Sequence, residues 1–270
     1  MGAQLSQSSL PLRSAADPAA QNGRACIIGN QAIGREKRDL VNQGVPLHSY
    51  RHPHPAVAVD IAIFTVREGH LEVLLIERGV EPYKGAWSLP GGFVRISEDL
   101  PSAAARELKE ETGIGGAYLR QVGAFGDPER DPRERVISVA YFAILSSDVI
   151  TIKAGTDAAA ARWWPFSELP PLGFDHKEII ASAHQALVNE LPNSSVAFQF
   201  LGEEFTLSEL QRVHEAIRGE GLDKRNFRKW VAALGAVRAT GRLRRAGPHR
   251  PAELYRLRRR SLQGNSARHQ

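Results

Sequence analysis

Gly92-Phe93-Val94-Arg95-Ile96-Ser97-Glu98-Asp99-Leu100-Pro101-Ser102-Ala103-Ala104-Ala105-Arg106-Glu107-Leu108-Lys109-Glu110-Glu111-Thr112-Gly113-Ile114 is the stretch on which the fold of this chain turns. Glu107, Glu110 and Glu111 stand at i, i+3 and i+4, so a helix would bring their carboxylates onto one face. Three like charges at that spacing repel unless a cation lies among them, and hard oxygen ligands suit Mg2+ or Mn2+, which can also bridge the oxygens of a diphosphate. Leu100, Ala104 and Leu108 recur at i, i+4 and i+8 on another face, as packing against a sheet requires. Asp99 and Pro101 suit the first helical turn, and Gly113 suits the stop. Ahead of the helix, Gly91-Gly92 allows close backbone approach.

This run resembles the Nudix box, G-x5-E-x7-R-E-U-x-E-E-x-G-U, with every fixed position filled. The resemblance implies a loop-helix-loop in an α/β/α sandwich and hydrolysis of a diphosphate bonded to another group. It implies Glu107, Glu110 and Glu111 as metal ligands, with the Gly92 carbonyl as a further one, and Mg2+ or Mn2+ as cofactor. Glu98 and Arg106 would brace the loop, completing the implied catalytic set. The implied reaction is attack of a metal-activated water on phosphorus.

The chain has 270 residues, room for one large domain or two small ones. Its 42% hydrophobic and 24% charged residues are ordinary for a soluble globular protein. Cys26 is the one cysteine, which excludes an internal disulfide framework and a cysteine zinc cluster and favours the cytoplasm. No apolar run approaches the ~18 residues of a membrane span, so no membrane partner is expected. Residues 1–48, rich in Ser, Gln, Ala and Gly, are expected to be a disordered leader. Net charge is +5, but residues 224–260 hold thirteen cations and one anion, Glu253. That segment carries +12 and leaves −7 for the rest, a division that marks two units with different partners.

Outward from the box, Val57–Val66 and Leu71–Ile76 read as a hairpin turning at Glu68-Gly69-His70. Ala117–Ala124 and Val136–Leu145 read as strands, and Trp163-Trp164-Pro165 ends a shorter one. Phe174–Leu191 reads as a helix with Ile179, Ile180, Ala183 and Leu187 on one side. Residues 126–135 form a charged, proline-punctuated connection. Its string Phe-Gly-Asp-Pro-x-Arg-Asp-Pro-Arg-x-Arg-Val-Ile-Ser-Val-Ala-Tyr resembles a Nudix subgroup that handles ADP-ribose and related nucleoside diphosphate sugars. That resemblance implies Arg130, Arg133 and Arg135 as phosphate or ribose contacts. Glu134 stands where the subgroup would have glycine.

Pro192-Asn193-Ser194-Ser195 signals a linker. Beyond it Thr206 and Glu209 form a capping box, and Leu207, Leu210, Val213 and Ile217 keep helical spacing to Gly219. Asp223 caps a second helix, with Phe227, Trp230 or Val231, and Leu234 inward and Lys224, Arg225, Arg228 and Lys229 toward water. Gly235 ends that helix. Ala236–Thr240 and Ala252–Leu257 read as strands around a basic loop, 241–250. This is the order of a winged helix-turn-helix, whose cationic helix enters the major groove of duplex DNA. The basic wing, with Arg242, Arg244 and Arg245, would lie against phosphates.

Together the two halves resemble the Nudix-related transcriptional regulators, whose best-known branch represses genes of NAD metabolism. The resemblance spans about residues 54–260, and Asp223-Lys-Arg-Asn-Phe-Arg228 is its most distinctive motif in the second half. It implies a homodimer in which ADP-ribose or a related nucleotide controls binding to a DNA operator. The expected organisation is a Nudix domain over 49–191, a linker over 192–200, a small α+β winged helix over 201–262 and a tail over 263–270. The alternative is a Mg2+-dependent ADP-ribose pyrophosphatase whose C-terminal unit serves assembly only; a regulator that also hydrolyses its ligand combines the two.

Overall fold

The computed structural model describes residues 51–146, 158–192, 195–245 and 251–258. The leader over 1–48, Cys26 and the tail over 263–270 lie outside them.

Strand β1 (Ala56–Arg67) turns through Glu68 and Gly69, both at positive φ, into β2 (His70–Arg78). Two short strands follow, β3 (Trp87–Ser88) and β4 (Gly91–Phe93). Helix α1 (Leu100–Thr112) leads to β5 (Tyr118–Phe125), β6 (Val136–Ile144) and β7 (Ala158–Pro165), and then to α2 (His176–Glu190). The strands form a mixed sheet ordered β3-β2-β1-β6-β5, with β4 also on β1 and β7 also on β2. β1 and β6 run parallel, and the remaining pairs are antiparallel.

Alternation along β1 explains why it is almost wholly apolar. Val59, Ile61 and Ile63 face α1 through Ala103, Ala104 and Leu108, while Ala62 and Phe64 face α2 through Ile179, Ile180, Ala183 and Leu187. A central strand covered on both faces has no polar side to show. The caps of α1 are those its residues favour: Asp99 Oδ1 accepts the Ser102 amide at 2.8 Å, and Gly113 closes the helix at φ 74°.

The C-terminal unit comprises α3 (Leu207–Arg218), α4 (Lys224–Leu234) and the hairpin β8 (Val237–Arg244) and β9 (Ala252–Leu257). Thr206 and Glu209 form the reciprocal capping box. β8 runs on through Arg244, so residues 241–244 belong to the hairpin rather than to a loop. Leu234, read as inward, is 42% exposed, because Gly235 ends the helix before its last turn can be covered. The segment expected to be a linker is packed: Val196, Ala197 and Phe200 lie buried in a 3-10 turn spanning Val196–Phe200. They join the sheet face under α2 to Phe205, Leu210, Val213, Ile217, Phe227 and Val231 in one continuous apolar core.

Among the described residues no helix is long and apolar enough to cross a membrane.

Candidate functional site

The box places Arg106 at the centre of its carboxylates. Arg106 grips Glu98 through Nε at 3.0 Å and a terminal nitrogen at 2.6 Å, and donates to the Phe93 carbonyl at 3.2 Å. Its other terminal nitrogen reaches Glu107 at 2.5 Å and Glu110 at 3.0 Å. Glu98 also accepts the Arg95 amide at 2.8 Å, closing the loop on itself. Burial raises the Glu107 carboxyl above its usual range although Arg106 hydrogen-bonds it, and the neighbouring Glu110 adds to the rise. Strand β4 comes so close that a Cβ on Gly92 would lie 2.3 Å from Glu107 Oε1. Glycine is what lets the backbone meet this carboxylate.

Hard oxygens on one helical face, those of Glu107 buried and destabilised as an anion, fit a divalent cation in chemistry. Among the described residues, however, no three His, Cys, Asp or Glu side chains are gathered on one point, and Arg106 is the cation that Glu107 and Glu110 share.

Behind β4 lies a buried polar knot. Asp60 of β1 accepts from Ser138 at 2.5 Å and from Arg130 at 3.1 Å, and His176 Nε2 is 3.5 Å away. Arg130 also donates to Asp175, at 2.8 and 2.6 Å. Burial by itself would raise the Asp60 carboxyl; His176, Ser138 and Arg130 outweigh it and hold it at about 2. His176 Nδ1 accepts the Leu89 amide at 2.9 Å, two residues before Gly91. Arg130 therefore departs from expectation: its side chain is 4% exposed and spent on two carboxylates, so it positions the loop and offers little to a ligand. Asp60 carried a signal for this knot, as a lone carboxylate in an aliphatic strand.

Arg133 and Arg135 remain the loop's accessible cations. Arg135 donates to the carbonyls of Asp127 and Val136 at 3.1 and 3.3 Å. Arg133 is held by Asp131 at 2.7 and 3.0 Å and lies over the rings of Phe93 and Phe174, 5.5 and 5.9 Å from their centroids. Arg78 lies over Phe174 too, at 4.9 Å, and its Nε donates to the Pro82 carbonyl at 2.7 Å. Burial, and then the charge of Arg133, lower the Arg78 pKa. Two guanidiniums around one ring, with Tyr83 edge-on to that ring at 4.8 Å, form a cleft suited to an anion bearing a flat group. Tyr83 and Phe174 both take positive φ, 61° and 56°, a strain of about 1–3 kcal/mol each that clusters at ligand sites. Sequence reasoning assigned no role in binding to Arg78, at the end of β2, or to Tyr83 and Phe174, because only the folded chain brings the three together.

In the C-terminal unit, Lys224, Arg225, Arg228 and Lys229 line an open groove along α4 with Ala232, and none forms an ion pair among the described residues. The wing is different. Arg242 and Arg256 both pair with Glu204, the latter at 2.8 Å, and Arg244 reaches Glu209 at 2.9 Å and the Glu204 carbonyl at 3.0 Å. Arg245 is exposed.

A NUDIX domain profile matches residues 54–183, and a profile described as the NrtR DNA-binding winged helix domain matches residues 197–257. The chain is 37% identical over 210 residues to the ADPR responsive transcriptional repressor NtrR of Acinetobacter baylyi, over 76% of this chain and 83% of that protein. It is 44% identical over 162 residues to the ADP-ribose pyrophosphatase of Methanocaldococcus jannaschii, over 57% of this chain and 91% of that one. Shewanella oneidensis NrtR in complex with a 27mer DNA superimposes with a TM-score of 0.68 at 35% identity, over 75% of this chain and 93% of that chain.

Proposed function

The chain belongs to the Nudix-related transcriptional regulators, and from that premise we propose that it senses ADP-ribose or a related nucleoside diphosphate derivative and reports it to DNA as a homodimer. The observation that carries the reading is the cationic face of α4, without an ion pair among the described residues, standing in the same chain as the arginine and aromatic cleft. The repressor it resembles is ADPR responsive, and the S. oneidensis relative holds DNA. Arg133, Arg135 and Arg78 would take the diphosphate, and Phe174 a flat part of the ligand. Lys224, Arg225, Arg228 and Lys229 would enter the major groove, with Arg242, Arg244 and Arg245 alongside.

The test is fluorescence anisotropy with a duplex from upstream of the chain's own gene, with and without ADP-ribose. Arg225→Ala/Arg228→Ala is expected to abolish specific binding or to flatten the salt dependence by about two units in slope. Unaltered binding and slope would overturn the assignment.

A second reading is favoured by the approach of Gly92 to Glu107 and by the pyrophosphatase relative. Here the site also hydrolyses its ligand to AMP and ribose 5-phosphate. Glu107, Glu110, Glu111 and the Gly92 carbonyl would hold Mg2+ or Mn2+, which would supply charge neutralisation and an activated water when bound. Glu98 would keep Arg106 in place. Full Mg2+-dependent turnover in Glu110→Gln would sink that assignment.

A further inference from the structure

The entry of α2 joins the arginine and aromatic cleft to the buried polar knot. Arg133 lies over Phe174, Arg130 holds Asp175 with two hydrogen bonds, and His176 receives the Leu89 amide ahead of β4. Both arginines come from the one loop, three residues apart. The Arg130 contact has little slack: Arg130 and Asp175 are largely buried, and a two-pronged ion pair fixes orientation as well as distance.

Eight residues further along the same helix, α2 meets the other half of the molecule. His184 Nε2 donates to the carbonyl of Ile217 at 2.7 Å, while its ring lies 4.2 Å from that of Phe166. Ile217 is the penultimate residue of α3, where carbonyls have no acceptor role left within their own helix. The chain from there passes through Gly219 to α4 and its cationic face. At 1.5 Å per residue, the two points of contact are about 12 Å apart along α2. Between them Ile179, Ile180 and Ala183 are fully buried, so the helix cannot bend locally to absorb a displacement.

We propose that α2 is the strut through which nucleotide occupancy sets the posture of the winged helix, with Arg130 and Asp175 as positioning residues at the cleft and His184 as the contact that delivers the change to α3. The inference rests on the regulator reading above. A ligand shifts a conformational equilibrium only through contacts that differ between its states. Here a nucleotide drawing on Arg133 bears on the loop that carries Arg130, and so on the first turn of α2. His184 then holds α3 in whichever register the strut takes.

The test uses the full-length chain and measures ADP-ribose affinity by calorimetry and affinity for the upstream duplex with and without saturating ADP-ribose. His184→Phe keeps a ring beside Phe166 and removes the donor; His184→Gln keeps a donor. The expected result for His184→Phe is nucleotide affinity within about twofold of wild type and a nucleotide-induced change in DNA affinity reduced by about two- to tenfold, the scale of one hydrogen bond. His184→Gln is expected to retain more of that change. Arg130→Lys, at the other end of the strut, keeps the charge but loses the double grip and is expected to reduce the change as well. A wild-type response in both His184→Phe and Arg130→Lys overturns the strut and leaves the regulator standing. A wild-type chain whose DNA affinity ignores ADP-ribose overturns the regulator reading, and the strut with it.

Discussion

Lowering the pH from 7 to 5 is expected to weaken the fold through one imidazole. His214 lies on the inner face of α3 at 3% exposure, with the rings of Phe227 and Trp230 5.3 and 5.1 Å away. Burial, helped by the charge of Arg218, lowers its pKa from 6.5 to about 4. Above pH 6.5 both folded and unfolded chains carry it neutral, and its contribution is fully present. As the pH falls through 6.5 the unfolded chain takes up a proton that the folded chain refuses, and the contribution drains away until the folded group titrates at about 4. The whole gap corresponds to about 3.4 kcal/mol, of which about 1.8 kcal/mol falls between pH 7 and pH 5. Urea unfolding at both pH values, on wild type and His214→Phe, reads this directly. The added ring atom shifts absolute stability by about 1–3 kcal/mol, but equally at both pH values. Carboxylates common to both proteins cancel in the comparison. The wild type is expected to lose about 1–2 kcal/mol more than the variant on acidification; identical losses would refute the buried-imidazole argument.

Gly92→Ala drives a methyl into the Glu107 carboxylate, the movable end of a side chain, so the fold is expected to survive while Mg2+-dependent cleavage of ADP-ribose falls by about tenfold or more. Unchanged cleavage would detach Glu107 from the reaction. Glu204→Gln releases Arg242 and Arg256, so DNA affinity is expected to rise at low salt, with a slope against salt steeper by about one unit for each arginine that reaches a phosphate. An unaltered slope between about 50 and 200 mM NaCl would mean that the wing cations do not touch DNA.

Local signals were the legible ones. Asp99, Gly113, Thr206, Glu209, Asp223 and Gly235 act within a turn of where they stand, so spacing alone places the helix ends that the structure shows. The hairpin of β1 and β2 and the bounds of β9 follow from short runs and the turn residues beside them, for the same reason. What escaped depends on contacts across the chain. Arg130 meets Asp60 and Asp175 over separations of 70 and 45 residues, and no local pattern tells an arginine that binds a ligand from one that binds its own protein. β4 exists because Gly91 and Gly92 pair with Asp60 and Val59, with too few residues to show a period. The positive φ of Tyr83 and Phe174 runs against the propensities of aromatic residues, so only tertiary packing can impose it.

The apolar core that runs from the sheet through Val196 and Phe200 into α3 and α4 has a consequence for how such a chain can be handled and inherited. A winged helix cut free at 201 would expose Phe205, Leu210 and Ile217 where the other half had covered them, and the sheet would be left bare under Val196. The two halves are therefore not cassettes to be traded against other sensors or other DNA readers. A change of ligand on one side has to be accommodated by residues on the other, and the pair is expected to diverge as one piece.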